Sequence, residues 1–268
     1  MLPMLMLLGL SLALLLVAPI VLTTGRWQVR HPRIALTLWF GAFFAGCTAA
    51  GASVLVAVLT AVGVDERMSH AEGLAATVIA WLSLIGIGAI VAVVAAVSEP
   101  LAGSHREAVQ AFAPLVSSRE QRRGFVLARF QSEAPTAYAV RRPEPMIFLS
   151  STIEAALTPT QLQAVLAHER AHLRGRHDWA MRIAEINAAC LPPVLPAGAA
   201  LRRATALLIE LIADDTAARQ TGAANLANAL SRLSEATDDV GMALRAERLT
   251  ARRWPSSHRR RIPAAVRI

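Results

Sequence analysis

The chain has 268 residues, 54% of them hydrophobic, with a mean hydropathy of +0.44 and a formal net charge of +8. That much apolar surface excludes an ordinary soluble globule and points to membrane helices beside a modest polar part. Every cation is arginine. With no helix-turn-helix and no aromatic-interleaved basic stretch, the basic excess reads as loops facing anionic lipid, and direct nucleic-acid binding is not expected.

Three apolar runs come first. Residues 2–22 are uncharged and long enough, at about 1.5 Å per residue, to span a hydrocarbon core of about 30 Å. The run lacks a positively charged start and a small-x-small cleavage site, so a retained helix is expected rather than a signal peptide. Second and third spans are expected over about 35–62 and 73–97. Small residues at Gly41, Ala45 and Ala49, and again at Gly86 and Gly88, suit close helix approach in lipid. Cys47 and Cys190 lack metal-type spacing and read as small buried hydrophobes. The first loop carries Arg26, Arg30 and Arg33, the second one arginine against three acids, and 98–150 seven arginines. Arginine-rich loops stay in the cytoplasm, so the N-terminus is expected outside and everything beyond Val97 on the cytoplasmic side of the cell membrane.

The polar part opens with an expected helix over about 104–115. Two short strands follow, 137–140 and 146–149, joined as a hairpin through a proline-containing turn. Thr158-Pro159-Thr160-Gln161 then has a threonine N-cap, proline at the first helical position and glutamine at the third, a capping-box pattern. Leu162, Val165, Leu166 and Leu173 continue at helical spacing, and Gly175 is a stop. The stretch 181–201 is apolar but contains Glu185, Asn187, Pro192, Pro193 and Pro196. It reads as a re-entrant or interfacial excursion rather than a crossing. A helix over about 202–219, a short amphipathic helix marked by Leu226, Leu230 and Leu233, and an arginine-rich tail from about 244 complete the chain.

The chemistry sits in the capped helix. His168-Glu169-Arg170-Ala171-His172 places two histidines at i and i+4, about 40° apart around a helix, so both imidazoles can reach one metal ion. Glu169 lies beside them, suited to take a proton from an activated water and return it to a leaving amine. Such a site needs a third protein ligand and an open position. Glu210 is the best candidate, because a carboxylate within the apolar run 206–213 is costly unless something binds it. Asp214, one turn on, could accept a hydrogen bond from a ligand histidine. His177 competes as third ligand, although on a straight helix it would face away from His168. A local supporting pair of His177 and Asp178 is the expected alternative. A full crossing between His172 and Glu210 would put them at opposite membrane faces, beyond the reach of one ion.

The strings LQAVLAHERAHLRGRHDW and LIELIADD resemble the BlaR/MecR-type membrane metallopeptidases, the antirepressor transducers of β-lactam resistance, over about 138–215. The H-E-x-x-H core is shared by many zinc peptidases. The E-x-x-x-D partner and Arg176-His177-Asp178 narrow the likeness to this group and to related prenyl-protein and heat-shock membrane proteases. The resemblance implies one zinc ion on His168, His172 and Glu210, with Glu169 as base. It also implies a cytoplasmic active site that cuts a BlaI/MecI-type repressor or the chain itself. The hairpin could offer an edge strand to an extended substrate. The full-length transducers carry an extracellular penicillin-binding sensor that this sequence does not show, so the signal is expected to arrive through the helices, the outer loop or a partner.

The expected architecture is therefore mainly α: multi-pass transmembrane helices over 1–97 and a small α+β zincin-like metallopeptidase domain over 98–222. The membrane-associated excursion falls at about 181–201, and a short helix and tail occupy 223–268. The lipid bilayer and a peptide or protein substrate are the expected partners, with room for a homodimer. A catalytically inactive membrane signalling scaffold with a structural zinc is the alternative; metal analysis with and without chelator separates the two, since structural zinc sites are closed by four protein ligands.

Overall fold

The computed structural model describes residues 2–22, 24–25, 27–62, 115–141, 144–190 and 196–254, together with scattered positions of a helical stretch between 71 and 96. The helix expected over 104–115 lies outside the described residues but for Leu115, and the tail beyond 254 also lies outside them. The chain forms two compact units. One comprises Met1–Gly103 and Trp179–Leu208, the other Ser104–Asp178 and Ile209–Ile268.

The first unit contains α1 (Leu2–Leu22), which has a wider turn at Ala13–Val17, the short α2 (Trp27–Arg30) and α3 (Pro32–Val62). Among the described residues two helices are long and apolar enough to cross a membrane. These are Leu2–Leu22 and Pro32–Thr60, with mean hydropathies of 2.8 and 2.0. The described positions of the expected third span are helical and mostly exposed, Trp81, Leu82 and Ile85 among them. Of the expected row of small residues on α3, the buried face keeps Ala49 alone. Gly41 and Ala45 face outward, whereas Gly46, Ala49, Ser53 and Ala57 are buried. A Cβ on Gly46 would come 2.8 Å from the Leu15 side chain, and Ser53 donates to the Met4 carbonyl at 3.0 Å. Trp39 is buried on the same face of α3. Cys47 lies on the other side and is exposed, correcting its expected burial.

The second unit is built on a four-stranded sheet of β1 (Val116–Arg122), β2 (Phe125–Phe130), β3 (Ala137–Val140) and β4 (Met146–Ser150), in the order β1-β2-β4-β3. The hairpin of β3 and β4 forms as expected, antiparallel, with Tyr138 opposite Phe148. The preceding strands are new. β1 is a polar, exposed strand whose sequence carries no apolar alternation, and it turns at Gly124, with φ +88°, into the buried β2. β2 runs parallel to β4, which makes β3 an edge strand.

Helices α4 (Ser151–Ala156), α5 (Pro159–Gly175), α6 (His177–Cys190), α7 (Pro196–Thr221), α8 (Ala223–Thr237) and α9 (Val240–Ala251) follow. The capping box on α5 is complete: Thr158 accepts from the Gln161 N–H, and the Gln161 side chain accepts from the Thr158 N–H. The stretch 181–201 divides into the end of α6 and the start of α7. α7 begins at Pro196, ahead of the expected 202, because proline is tolerated in a first helical turn. The first part of the expected tail, up to Ala251, instead belongs to α9.

One face of the sheet packs Leu127, Ile147 and Leu149 against Val165 and Leu173 of α5 and Leu233 of α8. The other face gathers Ala128, Phe130, Val140 and Phe148. A third cluster joins Ala164 and Ala167 of α5 to Ala217, Leu226 and Leu249 of the last three helices. α5 is thus held on two sides, and its H-E-x-x-H turn is rigidly placed.

Candidate metal centre

α5 buries His168 at 7% exposure and leaves His172 partly covered. Their Nε2 atoms lie 3.0 Å apart. Glu210 of α7 completes a triangle, with Oε2 at 3.3 Å from His168 Nε2 and Oε1 at 3.4 Å from His172 Nε2. A tetrahedral ion with bonds of about 2.0–2.1 Å separates its ligand atoms by about 3.3–3.4 Å. The two contacts to the carboxylate, one to each oxygen, have that length, and the 3.0 Å between the two Nε2 atoms is somewhat shorter. Two nitrogens and a carboxylate oxygen are also the donor types that borderline metals such as zinc take. Among the described residues this trio is the group of metal-ligating side chains that could hold an ion.

Each histidine of the trio has a second group behind it. Asp214 Oδ1 lies 3.0 Å from His168 Nδ1, and Asp214 is fully buried. His177 Nδ1 lies 3.0 Å from His172 Nδ1. A turn brings His177 there: Arg176 adopts the left-handed conformation with φ 52°, so the chain doubles back after α5. Gly175 leaves room for the ring, since a Cβ there would collide with it. His177 is therefore not in the ligand triangle but behind it. Asp178, expected beside it, acts with Glu169 on the Tyr138 phenol, whose pKa is raised first by burial and then by these two acids.

A comparison with known protein families matches residues 102–254 to peptidase family M48. The chain belongs to peptidase family M48. No curated protein and no solved structure matches it. Membership implies a metallopeptidase, a hydrolase whose metal in M48 is typically zinc. The BlaR/MecR kinship is a finer assignment than the M48 match.

The electrostatics of this M48 centre fit a divalent cation. Glu169, Glu210 and Asp214 against Arg245 leave two negative charges, which one such ion neutralises. Without it, burial works against a charged His168, yet Asp214 and Glu210 prevail and push its pKa up to about 9. His172 goes down to about 3, through burial and then the neighbouring His168. Burial would raise Glu210, but His168 and Arg245 bring it to about 2. Asp214, opposed by burial in the same way, is held below the usual carboxylate range by Arg245 and His168. Glu169 is different: burial pushes it up and Glu210 adds to this, while His168, Arg245 and a hydrogen bond from the Ala139 backbone only partly offset them.

Sequence reasoning missed Arg245 and Ala139. Arg245 was hidden in a run of arginines that reads as a solvated tail. Its spacing with Arg248 and Arg252, opposite the Asp214-Asp215 pair, was the available signal. Ala139 acts through its backbone, which no side-chain pattern records.

Proposed function

We propose that this chain is a membrane-embedded zinc endopeptidase in which His168, His172 and Glu210 hold one ion and Glu169 is the general base. The observation that carries the reading is the triangle of two Nε2 atoms and the Glu210 carboxylate, with sides of 3.0, 3.3 and 3.4 Å. Zinc held there would supply a Lewis acid for the peptide carbonyl and acidify a water to a pKa of about 7. Glu169, its pKa raised by burial, would serve as base toward the attacking water and return the proton to the departing amine. Asp214 and His177 orient the two ligand rings, each by the Nδ1 that faces it.

Substrate enters along β3. In this antiparallel pair the Ser150 N–H donates to the Thr136 carbonyl. By alternation the N–H and C=O of Ala137 and Ala139 face away from β4. Ala139 also bonds to Glu169, so an extended peptide added at this edge is delivered to the base.

The two crossing-length helices and the apolar third stretch support a multi-pass membrane protein, and the arginine distribution supports an N-terminus outside and an active site on the cytoplasmic side. The likeness of the H-E-x-x-H region to the BlaR/MecR transducers supports a signalling role, cutting a BlaI/MecI-type repressor or the chain itself. Glu169→Gln is the test. The variant is expected to retain zinc and to lose cleavage of itself and of a co-expressed repressor. Cleavage at the wild-type rate contradicts the mechanism.

A further inference from the structure

α9 presents Arg245, Arg248 and Arg252 along one stripe, and two of them serve ordinary helix docking. Arg248 and Arg252 each place Nη1 2.9 Å from an Asp215 oxygen. Arg245 does something else. Its Nε and Nη2 grip the two oxygens of Asp214 at 2.8 and 2.7 Å, while Nη1 reaches Glu210 Oε2 at 2.8 Å. The same Nη2 lies 3.5 Å from His168 Nε2. One planar cation thus ties together a ligand carboxylate, the acid behind a ligand histidine, and the edge of that histidine. Only a rigid fork with several donors can do this; a lysine ammonium has the charge but not the shape.

We propose that Arg245 is a positioning residue of the metal centre. Its hold on Glu210 Oε2, the oxygen that also faces His168, would leave Oε1, 3.4 Å from His172 Nε2, as the oxygen free to bind an ion, keeping the carboxylate a one-oxygen ligand and a coordination position open for water. Through Asp214 it also fixes the ring of His168. A carboxylate released from this grip is free to turn both oxygens to the metal and close the open position. Catalytic zinc sites depend on that position. The inference rests on the metallopeptidase reading above and extends it to a residue on the last described helix.

The test uses the full-length chain in detergent, stripped of metal and reloaded with zinc or cobalt. Zinc affinity is read by competition with a chelator and coordination by the visible absorption of the cobalt form. Arg245→Ala is expected to weaken zinc about 10- to 100-fold and to lower the cobalt absorption, as a further oxygen joins a four-coordinate centre. Arg245→Lys is expected between Ala and wild type. Arg248→Ala, which loosens the same helix without touching a ligand, is expected to bind zinc as wild type does. Zinc binding by Arg245→Ala as tight as wild type or tighter overturns the proposal. So does equal weakening in Arg248→Ala, which makes docking the whole effect. If Arg245→Ala fails to fold, the lysine variant decides, and wild-type affinity there overturns the fork. A wild-type chain that binds no zinc sinks the metallopeptidase reading itself, a result distinct from the failure of Arg245 alone.

Discussion

At the residue scale, the centre is a set of groups whose protonation is set by one another. The metal-free His168 holds a proton up to about pH 9, whereas a metal ligand must offer a bare nitrogen. His172, lowered to about 3, and Glu210, lowered to about 2, have no proton to give near neutrality. Zinc uptake is therefore expected to release one proton. Its apparent affinity is expected to rise about tenfold per pH unit below about pH 9 and to level off above. Calorimetry at pH 7.5 in buffers of different ionisation heat measures that proton directly; no release contradicts the assignment. The sign for folding runs the other way. Because the folded pKa lies above the ordinary 6.5, His168 stabilises the metal-free domain fully below that pH and ceases to do so as pH rises through 9. Gly175 offers a second prediction. A Cβ there would collide with the buried His177 ring, so Gly175→Ala should push that ring off His172. Zinc affinity should fall about 10-fold or more in a chelator competition; unchanged affinity would show that His177 does not support its neighbour.

At the scale of elements, the ligand helix was the most legible part of the sequence, because its signals are local. Thr158, Pro159 and Gln161 specify its start through short-range backbone bonds and a steric requirement, and it ends one residue past the expected stop signal, at Arg176 in the left-handed conformation. Thr158→Ala should cost the domain about 1 kcal/mol, seen as a lowered midpoint of thermal unfolding. The hairpin of β3 and β4 was legible for the same reason. β1 and β2 were not: β1 has no apolar alternation and gains its pairing only from β2, while the parallel contact of β2 with β4 is long-range. α9 was read as tail because its arginines look solvated until Asp214 and Asp215 are known to face them. Of the candidate site, the grouping of His168, His172 and Glu210 could be expected from residue type and spacing, and the structure brings the three together. The turn that returns His177 to His172 could not, because it depends on the left-handed conformation of Arg176. The edge strand makes its own prediction. Ala137→Pro removes an N–H that points away from β4, so the sheet survives but strand addition is blocked. KM for a peptide should rise several-fold with kcat little changed; unaltered KM would place the substrate elsewhere.

At the scale of the whole molecule, an apolar helical unit and a compact peptidase unit share one chain, and α6 and α7 contribute residues to both. The exposed leucines and phenylalanine of α1 and α3 would be intolerable in water and are suited to lipid. The central claim is nevertheless local: one divalent ion is gripped by His168, His172 and Glu210. Elemental analysis of the purified full-length chain, wild type beside Glu210→Ala, tests it most directly. The account predicts one zinc per wild-type chain and loss of that zinc from the variant after mild chelation; a Glu210→Ala protein that keeps its full complement of metal would contradict it.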